Sequence, residues 1–268
     1  MATEKDDLTG GIRSAGKDSA SRFGPLVSVI TVVYNAADTI EDTIKSVLSQ
    51  SYENIEYIII DGGSTDGTAD IISRYGDLIS CRISEPDNGI YDAMNKGIRI
   101  AKGEIIHLLN ADDYYIDNNL IRKVVDSFGN NSLAACHTKI VYGNGNIAIR
   151  KVVADTKLFL DTPFMHPSLF VKKNIYEEIG CFDLNYKYAG DVDFIFRALV
   201  KGNSYSTLDC TGVLMRAGGL SDSNFLKAKR EYYKSYIRNF HSPVRGVAGY
   251  FYIVMVFIYL KIKKIFVR

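Results

Sequence analysis

Carboxylates in this 268-residue chain gather in short polar segments that follow apolar runs. Asp112 and Asp113 stand directly behind Ile105 to Leu109, separated from it only by Asn110 and Ala111. Adjacent carboxylates repel, so holding both ionised favours a nearby cation. Hard oxygen ligands with no cysteine beside them suit Mg2+ or Mn2+ better than zinc, and such an ion would neutralise a diphosphate. The same residues also read as turn chemistry, with Asp113 capping the segment from Tyr114 and Asp112 solvated. Residue types alone leave both readings open.

Two further acidic segments have the same placement. Asp61 ends the run Ile55 to Ile60 and opens a glycine-rich turn, Gly62 to Gly67, while Asp87 sits in Glu85-Pro86-Asp87-Asn88-Gly89. Each alone is ordinary turn composition; three at the ends of apolar runs point to one site. Asp191 and Asp193 open a late helical segment, where one suits an N-cap and the other could reach a cleft as a general base. His166, ahead of Pro167, reads first as a hydrogen-bonded packing residue and second as a site residue.

The elements that must position these groups follow from hydrophobic period. Val27 to Tyr34 is a β-branched run of the kind buried on both faces of a sheet. Asp38 to Glu41 has the form of a capping box, ahead of apolar positions Ile40, Ile44, Val47 and Leu48 at helical spacing. Strands are expected at Ile55 to Ile60, Cys81 to Ser84 and Ile105 to Leu109. Helices are expected through Ile71, Ile72 and Tyr75, and through Met94, Ile98 and Ala101. This alternation predicts an α/β domain with a mainly parallel sheet flanked by helices, whose ligands bind outside the carboxyl ends of the strands. Further on, Asn144-Gly145 signals a hairpin with positive φ at both turn positions. Asp191 to Val200 reads as a helix and Tyr205 to Met215 as a strand.

The organisation expected is a disordered leader over 1–24, a catalytic domain over 25–222 and a C-terminal helical appendage over 223–268. Lys and Arg number 32 against 31 Asp and Glu, a balance that gives no reason to expect nucleic acid. Cys81, Cys136, Cys181 and Cys210 lack metal-ligand spacing and read as reduced thiols of a cytoplasmic protein. The glycine turn after Asp61 is no dinucleotide fingerprint, because that pattern belongs after the first strand. Val247 to Leu260 is apolar or small throughout and runs into Lys261, Lys263, Lys264 and Arg268. It is shorter than the ~20 residues of a spanning helix. It suits peripheral membrane contact, or packing on the domain or on another copy of the chain.

Four segments together carry a resemblance: VSVITVVYNAADTIEDTIKSVLSQSY, IEYIIIDGGSTDGT, ISEPDNGIYDAMNKGIRIAKGE and LLNADD. In that order they resemble the inverting family 2 glycosyltransferases of GT-A fold, over about Pro25 to Ser221. The third segment is closest to transferases of bacterial surface polysaccharides, those of colanic acid and O-antigen assembly. The resemblance implies a nucleotide-diphosphate sugar donor, UDP-linked by default, and Mn2+ or Mg2+. It implies that Thr31, Tyr34 and Asn35 line the nucleoside pocket, that Asp61 reads a uracil N3–H, and that Asp87 and Asn95 border the nucleotide. Asn110, Ala111, Asp112 and Asp113 match the metal and ribose motif, with Asn110 where an aspartate is usual, leaving the metal to Asp112 and Asp113. Asp191 matches the catalytic base, Gly190 replaces the acid usual before it, and Asp193 becomes a cap or support. Arg216 and Gly219 belong to a segment resembling a loop that closes over the diphosphate. The implied acceptor is a polyprenyl-diphosphate-linked glycan at the inner face of the cytoplasmic membrane, with self-association left open. A sugar-phosphate nucleotidyltransferase and a non-catalytic carbohydrate-binding subunit are the alternatives.

Overall fold

The computed structural model describes residues 24–153, 158 and 160–266, and leaves out the side chains of 260, 261 and 263–266. The expected leader, apart from Gly24, and Arg268 lie outside the described residues.

Strand and helix alternate through the first half as the hydrophobic pattern requires. In chain order come β1 (Val27–Val33), α1 (Ile40–Leu48), β2 (Ile55–Asp61), α2 (Thr68–Arg74), β3 (Cys81–Ser84), α3 (Ile90–Ile100) and β4 (Ile105–Leu108). β3, β2, β1 and β4 lie side by side and parallel, so their carboxyl ends share one edge. Every residue of β1 is buried. Val27, Val29 and Val33 join Ile40 and Ile44 of α1 in one core layer, while Ile30 and Val32 meet Met94 and Ile98 of α3 in the other. Strand side chains alternate between faces, and a strand covered on both faces needs apolar residues at both parities.

The second half is mixed rather than parallel. It comprises β5 (Tyr114–Tyr115), α4 (Leu120–Ser127), β6 (Leu133–Val141), β7 (Ile147–Arg150), β8 (Leu169–Lys172), α5 (Lys173–Ile179), α6 (Gly190–Val200) and β9 (Tyr205–Arg216). The sheet runs β3-β2-β1-β4-β8-β6-β9-β5, with β8 antiparallel to both neighbours and β6 parallel to β9. The β6–β7 hairpin forms at Asn144-Gly145, but not with the turn expected. Gly145 alone has positive φ, at 82°, and its N–H donates to the Tyr142 carbonyl at 2.9 Å while Tyr142 N–H donates to Asn146. That is a three-residue loop with a glycine bulge, which leaves Asn144 in an ordinary conformation.

Neither expected helix cap forms. α1 begins after Thr39 without a side-chain cap, and α6 begins after Ala189, likewise uncapped by its own side chains. Instead, the Glu231 carboxylate reaches the turn before α6 from a later helix. It accepts the amides of Lys187, Tyr188 (2.7 Å) and Ala189 (3.0 Å). A distant acid thus fixes the turn that leads into α6, a support distinct from the cap that Asp191 or Asp193 was expected to supply.

After the short α7 (Leu220–Ser223), two long helices close the chain, α8 (Phe225–Phe240) and α9 (Pro243–Phe266). Tyr232, Tyr233 and Tyr236 of α8 pack with Phe196 of α6 in a third core cluster. The α8–α9 contact depends on small residues: a Cβ on Gly246 would lie 2.3 Å from Ile237, and one on Gly249 2.4 Å from Tyr233. Among the described residues no helix is long and apolar enough to cross a membrane.

Candidate active site

The parallel edge collects the first group of polar residues. Register sets Val33 beside Asp61 and Asp61 beside Ser84, so the Asp61 carboxylate lies between the ends of three strands. Ser64 Oγ donates to its Oδ1 at 2.5 Å and Ser84 Oγ to its Oδ2 at 2.6 Å, with only 2 % of the residue exposed. Asn35 has a φ of 48°, a left-handed conformation that asparagine accepts more readily than most residues. Its amide donates to Ser64 Oγ (2.8 Å) and its Oδ1 accepts from Thr65 N–H (2.9 Å). The loops after β1 and β2 are therefore stitched into one platform. Gly62 lets Asp87 close over that platform, since a Cβ there would sit 2.5 Å from Asp87 Oδ2 and 3.3 Å from the Tyr34 ring. Tyr34 itself is 66 % exposed, an open aromatic face at the rim.

The second group follows β4. Thr43 of α1 donates its hydroxyl to the carbonyls of Ala111 (3.0 Å) and Asp113 (2.7 Å), and Ala111 N–H donates to Val32 at the end of β1. Arg216, ending β9, donates to the Asp112 carbonyl (2.9 Å) and to Asp42 Oδ2 (2.8 Å), with its guanidinium over the Tyr114 ring. The loop is thus held from both sides by its main chain, while the Asp113 side chain is left unengaged. Asp113 is 1 % exposed, and neither carboxylate oxygen has a hydrogen-bond partner; Asn110 Oδ1 is likewise buried and unpartnered. Burial first, and then the neighbouring Asp112, push the Asp113 carboxyl well above the usual carboxylate range. The Arg216 main chain and the Asn110 amide pull the other way without reaching hydrogen-bonding geometry. Burial also raises Asp112, against the opposing charge of Arg216.

A divalent cation fits this pocket of buried, unpartnered oxygens, because a carboxylate stripped of water needs a proton or a counter-charge. Among the described residues no three His, Cys, Asp or Glu side chains converge as a complete metal cage. Mg2+ and its like are commonly held by one or two carboxylates plus substrate phosphates. Asp113 and Asp112 match that mode.

The third group surrounds Asp191. Tyr91, near the start of α3, donates its hydroxyl to Asp191 Oδ1 at 3.0 Å. Burial and the Asp191 charge raise Tyr91 well above the usual phenol range, so it stays a neutral donor. Gly190 makes the contact possible: a Cβ there would lie 2.8 Å from the Tyr91 ring. Phe182 stacks on Tyr91 at 5.4 Å, and His166 meets Phe182 edge-on at 6.4 Å. The His166 ring is lowered from the usual imidazole range by burial, partly offset by Asp191, and its Nε2 is buried without a partner.

Three of the expected site residues are not brought to the rim. Thr31 is wholly buried in β1, where its hydroxyl meets Tyr57 Oη at 3.2 Å. Asn95 spends both ends of its amide on the Phe182 main chain, at 2.9 Å each, bracing the segment beneath Tyr91. Asp193 is buried in bonds to Arg197 of its own helix and to Ser235 and Asn239 of α8, which is support rather than capping. Gly219 and its neighbour Gly218 lie exposed in an open loop behind Arg216. Tyr91, Thr43 and Ser64 are further candidate site residues, through their contacts with Asp191, the Asp112-Asp113 loop and Asp61, that residue-by-residue reading missed. Tyr91 lay within the segment ISEPDNGIYDAMNKG, but nothing local marks a tyrosine as the partner of an acid one hundred positions later.

A parallel-edged α/β sheet with acidic loops on its carboxyl rim fits the GT-A class of glycosyltransferase folds, and likeness to solved glycosyltransferases places the chain in it. The chain belongs to glycosyl transferase family 2, whose profile matches residues 28–188. An uncharacterised glycosyltransferase of Rickettsia typhi is 32 % identical over 68 % of this chain, which spans 61 % of that relative's length. An Escherichia coli protein named UDP-Glc:alpha-D-GlcNAc-diphosphoundecaprenol beta-1,3-glucosyltransferase WfaP is 30 % identical, over 77 % of this chain and 84 % of its own. In fold the chain is similar to S. aureus TarS in complex with UDP-GlcNAc (TM-score 0.65, 18 % identity, 80 % of this chain and 67 % of that one). It is also similar to the mannosyltransferase PcManGT of Pyrobaculum calidifontis in complex with GDP-Man and Mn2+ (TM-score 0.66, 22 % identity, 81 % and 65 %).

Proposed function

We propose that this protein is an inverting, metal-dependent glycosyltransferase that moves a hexose from a UDP-linked sugar onto an acceptor sugar hydroxyl in bacterial surface-polysaccharide assembly. The observation that carries the reading is the pairing of two differently treated acids on one rim. Asp113 is desolvated and unpartnered, suited to a counter-cation, whereas Asp191 is half-buried and hydrogen-bonded, suited to proton transfer. The name of the E. coli relative supports a polyprenyl-diphosphate-linked acceptor, and with it a cytoplasmic enzyme at the inner membrane face.

In this reading the nucleoside rests on the platform of Asn35, Asp61 and Asp87, with Tyr34 as its open aromatic wall. Asp112 and Asp113 would hold Mn2+ or Mg2+ together with the donor's diphosphate, and the ion would supply positive charge to the departing nucleoside diphosphate. The acceptor hydroxyl oxygen attacks the anomeric carbon as the bond from that carbon to the diphosphate breaks. Its proton passes to Asp191, whose Oδ1 is held by Tyr91, leaving Oδ2 as the accepting oxygen. Attack opposite the leaving group inverts the anomeric centre. Arg216 keeps the Asp112 loop in place.

A screen of nucleotide sugars for metal-dependent transfer or hydrolysis tests the donor. Asp191→Asn tests the base: transfer is expected to vanish while calorimetric donor binding survives. Loss of donor binding in that variant would count against the assignment.

A further inference from the structure

Apart from Arg245, the outward face of α9 is apolar along its described length. Val244, Val247, Phe251, Tyr252, Met255, Ile258, Tyr259 and Ile262 are between 45 % and 80 % exposed. Their spacing of three, four and one is a single helical stripe. The opposite side of the helix is occupied: Gly246 and Gly249 lie against α8, Tyr250 and Ile253 join the α8 tyrosine cluster, and Phe257 stacks on Phe225 at 5.3 Å. The exposed stripe is therefore left over after the helix has packed. Contiguous apolar surface of this kind marks an interaction face.

Charge identifies the occupant. Residues 225–268 hold ten Lys and Arg against one acid, Glu231, while the rest of the chain carries 22 against 30. A chain of net charge +1 has thus segregated about nine net positive charges into its residues 225–268. Lys227, Arg230 and Arg245 are exposed on the described portion. A second copy of the chain docking by the same face would bring two strongly basic, almost acid-free segments together, which repel. An anionic lipid surface complements both halves, taking the stripe into its acyl boundary and the cations against its headgroups. Arg245 and Tyr252 also line, with Leu160, Ala248 and Gly249, a cavity of about 300 Å³.

We propose that α9 is an interfacial membrane helix, lying in the surface of an anionic bilayer through the stripe from Val247 to Ile262 and held there by the basic residues of the two C-terminal helices. Because α8 is tied to the helix bearing Asp191 through Asp193, Ser235 and Glu231, docking would fix the catalytic rim relative to the bilayer. Lipid binding can be read without donor, acceptor or turnover, so the proposal stands or falls separately from sugar transfer.

The test is sedimentation of the full chain with vesicles of phosphatidylcholine alone, or mixed equally with phosphatidylglycerol. Binding is expected on the mixed vesicles, weaker on the neutral ones and falling with added salt. The variant Phe251→Ser/Met255→Ser/Ile258→Ser removes only exposed side chains and should retain the circular dichroism and donor hydrolysis of the parent. It should bind the mixed vesicles about tenfold more weakly or worse. Lys227→Glu/Arg230→Glu should lose the preference for anionic vesicles. Absence of vesicle binding by the parent would overturn the proposal. So would unchanged vesicle binding by the triple variant, or a dimer in solution that the triple variant dissolves.

Discussion

The Tyr91 hydroxyl donates to Asp191 Oδ1 at 3.0 Å, across one hundred residues of sequence. It can do so because residue 190 is glycine: any side chain there would begin 2.8 Å from the tyrosine ring. The bare α-carbon of Gly190 is the space in which the tyrosine braces the acid.

Removing that brace is expected to act on turnover rather than on donor binding. Tyr91→Phe should lower kcat about tenfold, the scale of a hydrogen bond to a charged group, with calorimetric donor affinity unchanged. Gly190→Ala should push the ring aside, lowering kcat similarly and stability by about 1–3 kcal/mol in chemical denaturation, as overpacking does. A Tyr91→Phe enzyme with parental kcat would remove the bond from the mechanism.

Asp113 should behave as a metal ligand rather than as a structural acid. Its carboxylate oxygens have no hydrogen-bond partner to lose, so Asp113→Asn should leave the metal-free protein at least as stable as the parent. With Mn2+ and UDP present, the parent should gain several degrees in Tm by linkage and the variant little or none. Thermal melts with and without chelator decide it; an equal gain in both proteins places the cation elsewhere.

Glu231 should matter to the active site from a distance. Its carboxylate holds the amides of Lys187, Tyr188 and Ala189 at the start of the Asp191 helix. Glu231→Ala should lose about 2 kcal/mol of stability, the scale of hydrogen bonds to a charged group. Exchange of those three amide protons should quicken more than that of β1, which hydrogen-exchange mass spectrometry can resolve.

Acid should destabilise the protein through buried histidine. His107 is stacked on Phe170 at 3.9 Å and bonded to Tyr115 Oη and the Pro167 carbonyl, and burial holds its imidazole down to about 3. In the unfolded chain an imidazole protonates near pH 6.5. Between those values the unfolded state binds a proton that the native state refuses, so stability falls as pH drops, by about 1.4 kcal/mol per pH unit for this group. Above pH ~7 it contributes no slope. His166, also lowered by burial, adds in the same direction. Asp113 and Asp112, raised by burial, act with the opposite sign, so the readout is the difference: in urea denaturation from pH ~7.5 to ~4.5, His107→Gln should lose less stability on acidification than the parent.

Much of the parallel edge was legible in the residues because its information is local. β1, β2, β3 and β4 lie within one residue of the runs read from β-branched composition, and Asp61, Asp87 and Asp112-Asp113 do follow strand ends. Thr31 and Asn95 show where local reading stops. A threonine in a strand of alternating faces and an asparagine on a helix carry no mark of what covers them; packing gave one to Tyr57 and the other to Phe182.

The sequence by itself determined the family, the strand-and-helix alternation, the acids on the rim and the apolar, basic character of the C-terminus, since each is written in residue type at short spacing. Only the tertiary structure decided which acid is left bare and which is held. Asp113 and Asp191 are the same residue type, each with a second aspartate within two positions. The close approach of Tyr91 over Gly190 gave one a hydrogen bond, and the dry loop behind β4 gave the other none. Ionisation and reach depend on solvation and on partners distant in sequence, and those exist only once the chain has packed.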